Sequence, residues 1–405
     1  MTKKPGPNYR WYILILTMLA YAIIAGVARM CIPVLFKQIS DDLGLSVFQV
    51  GVIWGMDPLA GVFVGLPAGL LADRFGVKRT ITVLCILAGI FSALRGLSNS
   101  FVTMAMTMFL FGLMAAATPS IVPKVTTEWF SGKRLGLANA LLNIAWSVGS
   151  ILASLLSATV LSPWLGGWRN VIYFFSAPAV LLGLLWWFTG KEPERSQSSI
   201  TRGQISFKQS LSHVIRMKQV WLIGIATLFT WGASMGFLGY LPLYLRNIGW
   251  SDAAADSAIT VFNGVTLIGS IPMVLLSDKL KTRKGVLGLS LGALAVGLIA
   301  LPYINTIGVW LMIGICGFLR SGTGSLFNVM IFETKSIGST YGGTAIGLAS
   351  TISMIGAFIA PGLGNSLDSV SQGAPFVFWG ILAALAVPVL FFIKTDPNKS
   401  LVETG

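Results

Sequence analysis

Gly69-Leu70-Leu71-Ala72-Asp73-Arg74-Phe75-Gly76-Val77-Lys78-Arg79 closes a long apolar run with a compact cluster of charge. Ser277-Asp278-Lys279-Leu280-Lys281-Thr282-Arg283-Lys284 does the same further along. Pro67 stands six positions before Asp73, and Pro272 six before Asp278. The two aspartates are 205 positions apart, and the interval recurs: Gly44-Leu45-Ser46 returns as Gly249-Trp250-Ser251, and Glu128 returns as Glu333. Gly136-x-Ala138 with Gly149 returns as Gly343-x-Ala345 with Gly356, at a drift of two. In a chain of 405 residues, such a repeat means two copies of one architecture.

A mean hydropathy of +0.80, with 55% hydrophobic and 10% charged residues, excludes an ordinary soluble protein. Mostly apolar segments follow one another nearly end to end, so the bilayer is the solvent. Twelve spans are predicted: 11–36, 48–71, 80–98, 102–128, 136–160, 171–190, 219–244, 253–276, 285–303, 307–331, 342–362 and 375–394. The expected fold is an all-α membrane protein of two pseudo-symmetric six-helix bundles. Residues 1–190 form the first bundle, 191–218 a polar cytoplasmic linker, and 219–405 the second bundle with a short tail. The first apolar run ends in charge and lacks a small-residue cleavage site, so it reads as a span and not a signal peptide. Cys31, Cys85 and Cys316 all fall in apolar runs without ligand spacing, so they read as packing residues and no metal or cofactor is expected.

The formal charge of +14 has a topological explanation. Of 28 Lys and Arg residues, 21 fall on the side that carries both termini. That asymmetry places the termini in the cytoplasm and the chain in the inner or plasma membrane, and it needs no nucleic-acid partner. The single histidine, His213, reads as a solvated linker residue. Glycines 61, 65 and 69 space small residues four apart, which reads as helix packing.

Twelve spans, a doubled half and the Gly-x-x-x-Asp-Arg-x-Gly-x-Lys-Arg loop together resemble the major facilitator superfamily. Gly167-Trp168-Arg169, Trp129-Phe130 and Lys133-Arg134-Leu135-Gly136-Leu137-Ala138 are similar to further features of that superfamily. The resemblance implies that the loop belongs to a cytoplasmic gate, with Gly69, Asp73, Arg74, Gly76 and Arg79 as its parts. Asp73 would face the positive N-terminal end of span eleven near Gly342 and Gly343, and Arg74 would pair with Glu128. The second copy supplies Asp278, and Lys279 near Glu333; its loop is degenerate, with Lys279 in place of the arginine.

An ionised side chain at mid-bilayer costs roughly 2.5–3.5 kcal/mol on insertion scales, so each needs a reason. Arg29, Asp57, Lys124 and Arg320 stand out; Arg95 lies near enough to a span end to snorkel and is discounted. In the superfamily the first helix of each three-helix unit lines the central cavity, and the three deep cations all occupy such helices. Three positive charges against one negative suit an anion, and a guanidinium grips a carboxylate with two parallel hydrogen bonds. Arg29 and Arg320 are therefore the expected ligands of a small anionic substrate. Tyr21…Arg29…Pro33 resembles the pattern of the superfamily's organic-anion carriers. Lys124 reads as a cavity ligand, a way-station or a snorkelling residue. Candidate pocket residues are Asn139, Asn143, Trp146, Trp231, Tyr240, Tyr244, Asn263, Asn328 and Ser353.

Depth counting places Arg29 and Asp57 at similar levels, about 12 and 13 Å below their span ends at 1.5 Å per residue. Asp57 is then either a structural ion-pair partner or the carboxylate that couples protons to transport. The leading reading is a monomeric, proton-coupled symporter of a mono- or dicarboxylate working by alternating access. The alternative is an efflux antiporter for drugs or other hydrophobic solutes. A sensor would need an appended signalling domain, and an enzyme a nucleophile–base or metal set; neither is visible in the sequence.

Overall fold

The structure, a computed structural model, describes residues 8–65, 67–192, 207–280, 282–334 and 337–394, and these contain helices and no strand. The first span is α1 (Tyr9–Tyr21) and α2 (Ala28–Leu43), joined by a π turn at Ala22–Val27. There follow α3 (Val47–Val64), α4 (Pro67–Phe75), α5 (Val77–Gly96), α6 (Phe101–Trp129), α7 (Lys133–Leu156), α8 (Ser162–Leu165) and α9 (Trp168–Thr189). After these come α10 (Phe207–Ile215), α11 (Lys218–Asn247), α12 (Asp252–Leu280), α13 (Arg283–Ala300), α14 (Thr306–Arg320), α15 (Thr323–Glu333), α16 (Gly338–Ser366) and α17 (Ala374–Phe392). Among the described residues, 11 segments are long and apolar enough to cross a bilayer. The remaining predicted span corresponds to α12, whose 29 residues are long enough to do so as well.

Local chemistry explains several boundaries. Ser100 opens α6 by accepting the Thr103 N–H, while the Thr103 hydroxyl accepts from the Ser100 N–H, a reciprocal cap. The repeated Gly44 and Gly249 have φ of +62° and +91°, a region that costs other residues Cβ strain, and each reverses the chain after a long helix. Part of the predicted linker, residues 193–206, lies outside the described residues. His213 departs from its expected place in a loop. It lies on α10 with its ring 4.4 Å from that of Tyr341.

The chain forms two compact units: Met1–Ser46 with Met56–Ser196 and Leu245–Thr260, and Val47–Gly55 with Gln197–Tyr244 and Val261–Gly405. In the first unit, Arg246 pairs with Asp252 at 2.6 Å and with buried Asp256, which accepts from Thr159 Oγ1 at 2.6 Å. In the second, the Trp54 indole donates to the Met235 carbonyl and Asn365 Nδ2 to the Val47 carbonyl, both at 2.9 Å. The borrowed segment 47–55 and residues 252–260 are themselves 205 positions apart, so the exchange follows the internal repeat.

Lipid tails are as apolar as leucine, so helices here associate through close packing of small residues. A Cβ at Gly149 would strike the Ala22 carbonyl oxygen, and one at Gly356 would strike that of Leu228. A Cβ at Gly112 would lie 2.7 Å from Asp57 Cα, and one at Gly317 would lie 2.8 Å from the Phe262 carbonyl oxygen. Gly112 and Gly317 are 205 apart, as are Asp57 and Phe262. The same helix crossing is thus built twice, with an acid in one unit and a phenyl ring in the other.

Candidate functional site

In the first unit the site grows from the π turn. Such a turn widens the helix and releases carbonyls from their regular partners, and it is frequent at functional positions. Trp146 of α7 donates its indole N–H to the Ala25 carbonyl at 3.2 Å. Arg95 of α5 donates to the Ala28 carbonyl at 2.8 Å. Arg29 follows directly and forms an ion pair with Asp57 of α3; their side chains are 22% and 2% exposed. Arg29 is therefore matched by an acid, with its Nε buried and part of its side chain exposed.

The other residues singled out in this unit have varied settings. Tyr21 ends α1, half-buried against a cluster that includes Leu14, Val122 and Phe130. Asn143 is exposed on α7, and Lys124 is half-buried on α6. Asn139 accepts from Thr126 Oγ1 at 2.8 Å. Arg95 departs from expectation. It does not snorkel but is 0% exposed, because Ser92, Ala28 and the face of Phe111, 4.0 Å from its guanidinium carbon, satisfy it inside the unit.

In the second unit Arg320 ends α14, where the chain turns through Ser321 and Gly322 before α15 begins. Its guanidinium carbon lies 5.6 Å from the ring centroids of both Trp231 and Phe262. Its Nε is buried without a hydrogen-bond partner, and no ion pair involves Arg320 among the described residues. Trp231 also lines a cavity of about 130 Å³ together with Thr227, Phe327, Asn328, Ser350 and Ser353. No lining residue is charged. Arg320 is not itself part of the lining; Trp231 links the two. A cation flanked by π faces can receive a carboxylate with two hydrogen bonds while an uncharged remainder sits against the ring.

Tyr240 lies elsewhere in this unit. Its side chain is fully buried, packs against Tyr244, Phe376 and Trp379, and donates its hydroxyl proton to Asp368. It is absent from the cavity lining. Buried Asn263 has an unpartnered amide nitrogen. Sequence reasoning missed Phe262, although the 205-residue interval points to it from Asp57.

At the charged loops, Gly69 and Asp73 lie in α4 and Asp278 in α12, with side chains outside the described set. Arg74 is exposed, its guanidinium carbon 5.5 Å from the Phe75 ring centroid; Arg79 and Glu128 are also exposed. Gly76 precedes α5, and Glu192 accepts the Lys78 N–H at 3.0 Å. In the second copy, buried Glu333 pairs with Arg283 at 3.1 Å and not with the expected Lys279, which is exposed. Arg283 wins that partner because its fork also reaches Ser277 Oγ, at 3.3 Å.

Long apolar helices in two halves related by a repeat, with charged groups set inside the spans, define a polytopic membrane carrier. The chain belongs to the Major Facilitator Superfamily, which it matches over residues 17–342 and 244–404. The family's members are transporters and not enzymes. A cis,cis-muconate transport protein of Acinetobacter baylyi is 25% identical over 97% of this chain and 97% of its own length. A probable sulfoacetate transporter of Cupriavidus necator is 23% identical over 92% and 91%. A solved bacterial homolog of the human lysosomal transporter Spinster shares the fold with a TM-score of 0.78, at 18% identity and 96% coverage of both chains.

Proposed function

We propose that this protein is a secondary transporter that carries a small organic anion, a mono- or dicarboxylate, by alternating access in symport with protons. The observation that carries the reading is Arg320, a guanidinium without an acidic partner among the described residues, held over Trp231, whose side chain also lines a cavity of uncharged residues. Unlike Arg95, Arg320 keeps a buried Nε with neither a hydrogen-bond acceptor nor a counter-charge among the described residues, which is costly in a membrane, and a substrate carboxylate would supply both. Arg29 is the second anion ligand, with Lys124, Tyr21, Asn143, Trp146 and Asn328 as further contacts. Asp57 is the proton-coupling group: a proton on its carboxylate releases Arg29 for the substrate. The relatives that carry muconate and, in one probable case, sulfoacetate support an anionic cargo.

The proposed setting is the inner or plasma membrane, with a monomer whose termini are cytoplasmic. Gly69, Asp73, Arg74, Gly76, Arg79 and Glu128, with Asp278, Lys279 and Glu333 in the second copy, form the cytoplasmic gate. Asp73→Asn is expected to slow transport with folding intact; full activity in that variant removes the gate role.

The test of substrate is uptake into proteoliposomes of labelled mono- and dicarboxylates, with and without an imposed proton gradient. Gradient-dependent accumulation of one of them is expected. Inhibition by hydrophobic cations, with no response to any carboxylate, would replace this reading with drug efflux.

A further inference from the structure

Arg95 is a wholly buried cation that the transport reading does not use. It is 0% exposed and has no ion-pair partner among the described residues. Each of its three nitrogens nevertheless has a hydrogen-bond acceptor. Nε donates to the Ser92 carbonyl at 3.2 Å, Nη2 to the Ser92 hydroxyl, and Nη1 to the Ala28 carbonyl at 2.8 Å. The Ser92 hydroxyl in turn accepts from Ser176 of α9 at 2.7 Å, and the guanidinium lies over Phe111 of α6. One planar fork therefore ties α5 to α2 while the packing around it spans α6 and α9.

The anchored atom is what matters. Ala28 is the last residue before Arg29, so its carbonyl belongs to the peptide unit that carries the Arg29 nitrogen. Upstream lies the π turn, held by Trp146 at Ala25. Downstream, Pro33 has no N–H to give the Arg29 carbonyl its usual helical partner. The backbone on either side of Arg29 is therefore irregular, and a fixed external donor defines the plane from which its side chain departs toward Asp57. Lysine offers neither the fork nor the flat face, and a neutral filler would avoid burying charge.

We propose that Arg95 is a positioning residue: through the Ala28 carbonyl it sets the orientation of Arg29 and so the anion affinity of the first unit. The affinity part of this rests on Arg29 being an anion ligand; the positioning part does not.

The experiment reads Arg29 directly. Full-length protein in proteoliposomes is treated with phenylglyoxal, and modification of Arg29 and Arg320 is followed by peptide mass spectrometry. Arg95→Gln should change the rate at Arg29 by threefold or more while Arg320, in the other unit, keeps its rate. An unchanged rate at Arg29, or an equal change at both arginines, overturns the proposal, the second because it reports general loosening. Should Arg95→Gln fail to fold, Ser92→Ala removes the Nη2 anchor and leaves the cation in place. A smaller shift confined to Arg29 is then expected, and none overturns the idea. In uptake assays Arg95→Gln should raise KM about tenfold in the wild-type background and have no added effect on Arg29→Gln. Additive effects overturn action through Arg29. If no labelled carboxylate is taken up by the wild type, the anion reading fails, while the modification rates still decide the positioning role.

Discussion

Replacing Arg29 or Arg320 by methionine should move thermal stability in opposite directions. Arg320 has no counter-charge among the described residues, and a central arginine costs about 2.5–3.5 kcal/mol on insertion scales. Its two ring contacts return about 0.5–2 kcal/mol each, and methionine keeps part of that through sulfur–aromatic contact. Arg320→Met should therefore stabilise the empty protein by about 1 kcal/mol, roughly 2–4 °C for a unit of this size. Arg29→Met leaves Asp57 unpaired with its side chain 2% exposed. Breaking a buried pair costs about 3–5 kcal/mol; the partial exposure of Arg29 argues for the low end, a fall of roughly 6–12 °C. Binding should respond differently. Loss of a charge-assisted hydrogen bond costs about 1.5–3 kcal/mol, or roughly 10–150-fold in affinity, at either arginine. Apparent melting temperatures with and without a carboxylate that the proteoliposome assay identifies as cargo, measured in detergent, separate the two effects. At about 100 times the wild-type Kd the wild type should gain about 2.7 kcal/mol from ligand, and Arg320→Met only about 0.3–1.4 kcal/mol. A fall in stability for Arg320→Met as large as for Arg29→Met would refute the argument, because it would reveal a counter-charge at Arg320.

Asp57→Asn should abolish proton-driven accumulation while retaining substrate exchange across proteoliposomes; unchanged proton dependence assigns Asp57 to structure alone. Gly149→Val and Gly356→Val should each lower stability by more than about 3 kcal/mol, because a carbonyl occupies the space where the side chain begins. Gly343→Ala meets nothing within 4 Å and should be nearly silent in the same melting assay. Glu333→Gln should destabilise by about 2 kcal/mol by removing the charge opposite Arg283, whereas Lys279→Gln on the exposed surface should stay within about 0.5 kcal/mol.

The long-range plan was legible because it rests on patterns that survive averaging. Hydropathy located the spans, and the interval from Asp73 to Asp278 also predicts which glycines make equivalent crossings, as Gly112 and Gly317 do. Hidden from the sequence were features set by a single hydrogen bond. The π turn before Arg29 leaves the apolar pattern intact, so nothing in Ala22–Val27 announces it. Arg95 was misread because distance from a span end says nothing about which way a side chain turns. Its partners, Ser92 three positions earlier and Ala28 on another helix, become visible only in three dimensions. Tyr240 was drawn to the pocket by its type, yet its hydroxyl is already committed to Asp368.

The paired crossing at Gly112 and Gly317 also carries an evolutionary consequence. Once a gene fragment has doubled, each copy can drift toward its own office. Here one descendant holds aspartate and the other phenylalanine at the matching position, so the arginine of one half has a counter-charge and that of its sibling a ring. A few nucleotide substitutions at that codon would therefore alter the charge balance of one half while the glycine that makes the crossing stays in place.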